Sequence, residues 1–457
     1  MIWIQFLVVL ICIYIGARMG GIGLGVMGGV GVAVLVFLFK IDPGPVTAPV
    51  NAPFALIPID VMLIILAVIT AAATLQASGG LDYLVYVAEK ILRKNPKAIT
   101  FVAPLVTYLF TFLAGTGHVA YALLPVIAEV SREAGVRPER PLSIGVIASQ
   151  QAITASPISA ATAAMLAIFT DIKLSHILMI CIPATLLGVV VASFVVSRMG
   201  KELPNDPEYQ KRLKAGLDAL NIEKKTFTPG KGARLSVALF IFGALLIVIF
   251  GSFPELRPAF PGVDTSAGIE NAVEIAAAPI SMATTIMIVM LTISVFMITL
   301  CKTNVEKIAS TEVFRAGTVA VTAIFGIAWM GNVFFSGNKD TIVNGLSGIV
   351  TDHPWLFAVA LFILSILVFS QAAATRILMP IGLSLGLSPA LLVGMFPAVN
   401  GYFFFPNYPT MVAAINFDRT GTTRVGKYML NHSFMLPGMI ATIVAVVTGI
   451  GIGIIIL

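Results

Sequence analysis

The chain has 457 residues with 28 Lys+Arg and 22 Asp+Glu, so charge makes up 11% of it while 58% is apolar and the formal net charge is +6. Soluble domains run at roughly a quarter charged, so this composition excludes an ordinary soluble globule. A basic excess that would suggest nucleic acid in a soluble chain is what the inward-facing loops of a membrane protein require, and nucleic acid is not an expected partner.

Apolar stretches of roughly 15 to 25 residues recur along the chain, about the span of a bilayer core. The first is followed rather than preceded by a basic residue, Arg18, the reverse of a signal peptide's order. It reads as an uncleaved span with its N-terminus outside. The second contains Gly23-Leu24-Gly25-Val26-Met27-Gly28, which matches a dinucleotide fingerprint but lies inside a span and follows no strand. Gly21, Gly25 and Gly29 are expected instead to form a flat face for close helix packing. After the third run, 59 to 78, the residues Leu81, Leu84, Ala88, Ile91 and Leu92 precede Pro96 with the spacing of an interfacial helix.

The basic segments 89 to 97, 131 to 140, 198 to 234, 302 to 315 and 418 to 427 are expected inside, and 198 to 234 alone holds nine of the 28 Lys+Arg. The Pro-rich, net acidic segments 41 to 58 and 251 to 274 are expected outside. Two short apolar runs lie between 89 to 97 and 131 to 140, and both flanks belong inside. This predicts a re-entrant hairpin, 98 to 130, turning at Ala114-Gly115-Thr116-Gly117-His118. The same reasoning predicts a second hairpin, 355 to 386, turning near Ser370-Gln371-Ala372-Ala373-Ala374. Such backbone at membrane depth must be buried in protein or line a wet cavity.

The expectation is an all-α polytopic membrane protein of about ten transmembrane helices and two re-entrant hairpins, with broken helices at 141–170 and 390–416 and both termini outside. Residues 1–197 and 235–457 form two inverted repeats joined by the basic loop 198–234. Ile342, Leu346, Ile349 and Val350, before Pro354, mirror the interfacial stretch of the first half. In such architectures the transport site lies at the repeat interface near the midplane.

The candidate site follows from the breaks. The first broken span carries Ser149, Gln150, Gln151, Thr154 and then Ser156 before Pro157; the second carries Asn400 and then Pro406-Asn407-Tyr408-Pro409-Thr410. Each Pro removes an N–H and clashes with the preceding turn, so both spans are expected to unwind there. The freed N–H groups and helix N-termini can hold an anion, with hydroxyls and amides as further donors. The plainer reading of any one such Ser or Thr is a bond to its own helix backbone. The hairpin tips add Thr116, Gly117 and His118 in the first half and Gln371, Thr375 and Arg376 in the second. A cation at membrane depth costs at least about 2.5 to 3.5 kcal/mol without a partner, and a substrate carboxylate would supply one. Snorkelling, or a backbone carbonyl, is the alternative for Arg376; His118 could donate to substrate, relay a proton or satisfy its own tip. There is no Walker A loop and no metal constellation, and Cys12, Cys181 and Cys301 are isolated packing residues. No cofactor, metal or catalytic group is expected.

The chain resembles the anaerobic C4-dicarboxylate transporters of the DcuA/DcuB family, the DcuA branch more than the DcuB branch. The segments that carry the resemblance include Leu75-Gln76-Ala77-Ser78-Gly79-Gly80-Leu81-Asp82, Gly115-Thr116-Gly117-His118, Arg137-Pro138-Glu139-Arg140-Pro141, Ala155-Ser156-Pro157, Ser370-Gln371-Ala372-Ala373, Gly421-Thr422-Thr423-Arg424 and Asn431-His432-Ser433. The resemblance implies exchange or uptake of fumarate, malate, succinate and aspartate across the bacterial inner membrane. Its expected partners are small dicarboxylates and membrane lipid, with a homodimer and a membrane sensor kinase as open protein partners. Thr116, Gly117 and Ser156 would hold one carboxylate and Gln371, Arg376 and Asn407 the other. Asn407 stands where the family commonly has Thr, and the acid some relatives carry near Met411 is missing here. An ion-coupled carrier of another organic anion or amino acid, and a membrane sensor, are the rival readings.

Overall fold

The computed structural model describes residues 1–457 other than 20–21, 45–56, 58, 170, 215–229, 265–272, 369, 407 and 427–429, and nearly all of what it describes is helical. Before the basic loop come α1 (Ile2–Met19), α2 (Gly23–Ala33, continued by a π turn Val34–Leu38), α3 (Ile59–Ala77), α4 (Gly80–Lys94), α5 (Ile99–Ala114), α6 (Ala120–Glu133), α7 (Glu139–Ala155), α8 (Ala160–Ile168) and α9 (Leu174–Val196). Within the loop lies α10 (Pro207–Lys214). After it follow α11 (Lys231–Ser252), β1 (Ala259–Asp264), β2 (Val273–Pro279), α12 (Met282–Leu300), α13 (Val305–Ser310), α14 (Glu312–Asp352), α15 (Trp355–Val368), α16 (Gln371–Ser384), α17 (Pro389–Met395), α18 (Pro409–Phe417) and α19 (Met435–Ile456). Among the described residues seven helices are long and apolar enough to cross a membrane, and α3 with α4 makes an eighth if a pair bent by 70° is one span.

The bend between α3 and α4 comes from Ser78-Gly79-Gly80, where Gly79 sits at φ +79°, a left-handed conformation that costs glycine nothing. Beyond it α4 buries Leu84, Ala88 and Leu92. Its Arg93 bonds Glu89 at 2.7 Å, and also Glu129 (3.3 Å) and Glu133 (2.7 Å) of α6, fixing α4 to α6. The matching stretch of the second half behaves differently. Residues 342 to 350 were expected as a separate interfacial helix, yet they continue α14, which runs unbroken for 41 residues. Gly337 and Gly345 stand singly, with no glycine pair to admit a left-handed turn, so nothing there ends the helix.

Two further features correct the sequence reading. Part of the segment 251 to 274 was expected as loop, but β1 and β2 form an antiparallel pair, Ala259 opposite Pro279 and Asp264 opposite Val273, with an irregularity between Phe260 and Gly262. Pro261 lies at that irregularity, where a residue lacking an N–H is tolerated. The glycine face of α2 also differs. It packs on α14 through Gly25 and Gly28, where a Cβ would overlap the backbone of Thr322 and of Gly326, whereas a Cβ on Gly29 would meet nothing within 4 Å. Gly21 lies outside the described residues. The spacing in use is i, i+3 because α2 crosses α14 on that side.

Contacts between the halves come in reciprocal pairs. α2 lies along α14 and α3 along α12; α6 meets α18 and α8 meets α16; α9 lies along α19. Each of the two apolar cores accordingly draws on both halves, one through Ile64, Leu123, Met290 and Phe434, the other through Leu35, Ile177, Met330 and Phe396.

Candidate functional site

The break between α7 and α8 starts at Ser156, held extended (φ −77°, ψ 129°) by the following Pro157, and ends at Ser159, whose hydroxyl accepts the Thr162 N–H at 3.1 Å as the N-cap of α8. Ser156 donates to the Phe112 carbonyl at 2.7 Å, so the break is tied to the end of α5. At the first tip Gly115 ends α5 at φ +69°, and a Cβ there would come within 2.9 Å of the Ile158 carbonyl oxygen. Only glycine admits both that torsion and that approach.

The second half is built alike. Between α17 and α18 the chain passes through two short 3-10 turns, Phe396–Val399 and Gly401–Phe403, and the Gly401 N–H donates to Ser365 of α15 at 2.8 Å. Pro409 opens α18, where a missing N–H costs nothing. The second tip is tighter than expected: Ser370 caps α16 by accepting from the Ala373 N–H at 3.2 Å, so Gln371 to Ala374 already form its first turn.

These pieces enclose a cavity of about 660 Å³. Gly115, Thr116 and Gly117 of the first tip, Ala160 and Ala161 at the start of α8, Ser370 and Gln371 at the start of α16, and Pro409 and Thr410 at the start of α18 all line it. Three helix N-termini therefore end at one cavity, each carrying unsatisfied N–H groups and a positive dipole end. The Thr410 hydroxyl is buried there with no hydrogen-bond partner among the described residues. Residues of α14, from Glu312 to Ile324, line it too.

A chain of amides runs from the cavity wall to α19. Gln371 Nε2 donates to Gln150 Oε1 (2.9 Å) and to Asn400 Oδ1 (3.3 Å); Asn400 Nδ2 donates to Gln151 Oε1 (3.2 Å), and Gln151 Nε2 to Thr442 of α19 (3.0 Å). All five residues are buried. A Cβ on Gly117 would overlap the Gln150 amide, so the first tip closes directly on this chain.

Of the residues expected at a site, Thr116, Gly117, Gln150, Gln371, Tyr408 and Thr410 line the cavity. Asn400 is joined to it through Gln371. Ser149, Thr154 and Thr375 bond carbonyls of their own helices, those of Val146, Gln151 and Gln371, and do not line it. Arg376 is buried in the second turn of α16 and is not among the lining residues. His118 lies in the 3-10 turn Gly117–Val119; its side chain, and the whole of Asn407, fall outside the described residues. Tyr121, Glu312 and Ser370 line the cavity unforeseen. The available signals were an aromatic hydroxyl just past the first tip and an acid at the border of a span.

A second polar centre joins the basic connectors. Arg137 pairs with Glu139 and with Asp206, Glu139 accepts from the Ser433 hydroxyl at 2.6 Å, and the Glu139 N–H donates to Thr422 at 3.2 Å. Burial pushes the Asp206 carboxyl up, but the Tyr209 N–H, the Arg137 guanidinium and the Glu208 N–H more than offset it and hold the group below its ordinary value. This clasp spans the connectors before α7, after α9 and before α19.

A family described as anaerobic C4-dicarboxylate membrane transporter matches residues 1–457. The C4-dicarboxylate transporter DcuA of Escherichia coli K12 is 43% identical over 99% of both chains. The anaerobic C4-dicarboxylate transporter DcuB of Escherichia coli O6:H1 is 39% identical over 98% of this chain and 97% of its own, and DcuA of Wolinella succinogenes is 39% identical over 98% of both. Among solved structures, the YdaH transporter of Alcanivorax borkumensis superposes with a TM-score of 0.51 at 14% identity, covering 86% of this chain and 84% of its own. MtrF of Neisseria gonorrhoeae superposes with a TM-score of 0.52 at 12% identity, covering 94% and 93%. Those two likenesses concern the fold.

Proposed function

Because the chain belongs to the family of anaerobic C4-dicarboxylate membrane transporters, we propose that it is a secondary carrier that exchanges four-carbon dicarboxylates across the bacterial inner membrane by alternating access. The observation that carries the reading is the meeting of three helix N-termini, with the unpartnered Thr410 hydroxyl, at one cavity. Each such terminus favours an anion by roughly 0.3 to 1 kcal/mol when exposed and up to about 2 kcal/mol when partly buried, so together they favour carboxylates. A cavity of about 660 Å³ takes a small diacid with room for water. In this reading the Thr116 and Gly117 tip and the start of α8 hold one carboxylate, and the starts of α16 and α18 hold the other. Arg376, buried on α16, adds positive potential at the second end.

The reciprocal contacts of α2 with α14 and α3 with α12 support an inverted repeat, since a two-fold relation generates contacts in such pairs. With the basic connectors cytoplasmic and both termini periplasmic, the rim beside Glu312 would lie on the cytoplasmic side. Counterflow tests the reading. Proteoliposomes loaded with succinate are expected to accumulate labelled fumarate or aspartate from outside; no accumulation, with or without ion gradients, excludes it.

A further inference from the structure

One residue of the cavity lining has no part in the anion-binding reading above. Glu312, the first residue of α14, is the only charged side chain among the described residues that line the cavity, and it is exposed at the rim. None of the salt bridges among the described residues uses it. Tyr121 and Tyr408 line the same cavity, so a carboxylate and two phenol rings share its wall. A fixed carboxylate repels a dianion entering past it and attracts an ammonium, and phenol faces attract a cation as well. The helix N-termini that line the same cavity favour the opposite charge. The site is therefore bipolar. An α-amino dicarboxylate carries both complements, two carboxylates and an ammonium, and enters with one net negative charge where the plain diacid has two.

We propose that Glu312, with Tyr121 and Tyr408, forms an ammonium subsite that selects amino dicarboxylates over plain diacids of the same length. The inference rests on the carrier reading above. Glu312 also complements the dipole at the start of α14, as any carboxylate would there; that role alone would change stability and leave the ratio of substrates untouched.

Initial rates of L-aspartate and succinate exchange in proteoliposomes separate the two. In E312Q the ratio of kcat/KM for aspartate to that for succinate is expected to fall at least about tenfold, the usual effect of losing one charge-assisted contact, while E312D keeps most of it. An unchanged ratio, or an equal loss on both substrates, overturns the proposal. A second measurement needs no variant. The unaltered carrier is expected to bind L-aspartate more tightly than L-malate, which has a hydroxyl in place of the ammonium; equal or tighter binding of malate overturns the proposal. If the unaltered carrier exchanges succinate but fails either comparison, the carrier reading survives and the subsite does not. If it exchanges no C4-dicarboxylate at all, both fall.

Discussion

Thr410 lines the cavity with a buried hydroxyl that folding leaves without a partner among the described residues. A buried hydroxyl without a partner costs about 1 to 3 kcal/mol of desolvation, and a substrate carboxylate would accept from it. Thr410→Val is therefore expected to raise the KM for dicarboxylates roughly 2- to 12-fold, the usual worth of one hydrogen bond, while leaving thermal stability equal or slightly higher. Counterflow and a melting curve on the same preparation check both halves; a drop in Tm with normal kinetics would make Thr410 a packing residue. The sequence singled out Thr410 because it follows Pro409, and it singled out Ser149, Thr154 and Thr375 on the same polar grounds. Those three bond carbonyls of their own helices. Side-chain direction separates the two groups, and it depends on where each helix breaks to within one residue. The amide chain was illegible for a different reason: Gln150 and Gln371 are 221 residues apart, and nothing local marks them as partners.

Backbone contact between elements is closest where α2 crosses α14. A Cβ on Gly326 would overlap the Gly25 carbonyl, so Gly326→Ala is expected to push the helices apart and cost about 1 to 3 kcal/mol, as overpacking does. Gly29→Ala, on the open side of α2, is expected to stabilise by up to about 1 kcal/mol through helix propensity. Thermal unfolding in detergent measures both, and a similar change in the two variants would refute this contact geometry. At this scale much of the fold was readable. Pro157 stops α7 and Pro409 opens α18 by mechanisms that act within a few residues, so these two helix boundaries lie close to where the residues put them. The uninterrupted α14 and the strand pair were not readable. Single glycines and prolines leave helix, strand and loop in competition, and packing decides among them.

The clasp around Arg137 is a property of the whole molecule, since it joins connectors that are distant in sequence. The Asp206 carboxyl titrates below its unfolded value of about 3.9, so the stability it contributes is present above that pH and is lost as pH falls through the folded value. Melting temperatures taken from about pH 7 down to about pH 3 are expected to fall steeply at the acid end, and Asp206→Asn to start lower and flatten that limb. An unchanged acid limb in the variant would show that other carboxylates govern it. The long helix carries a mechanical consequence. Because α14 is unbroken from Glu312 to Asp352, a tilt about its crossing with α2 at Gly326 would turn it as a lever with unequal arms, about 21 Å to the cavity rim and about 39 Å to the far end. A tilt of about 5° that moves Glu312 by roughly 2 Å swings Asp352 by roughly 3.4 Å in the opposite sense. Paired spectroscopic labels at the far end would thus register, magnified nearly twofold, movements too small to follow at the rim itself.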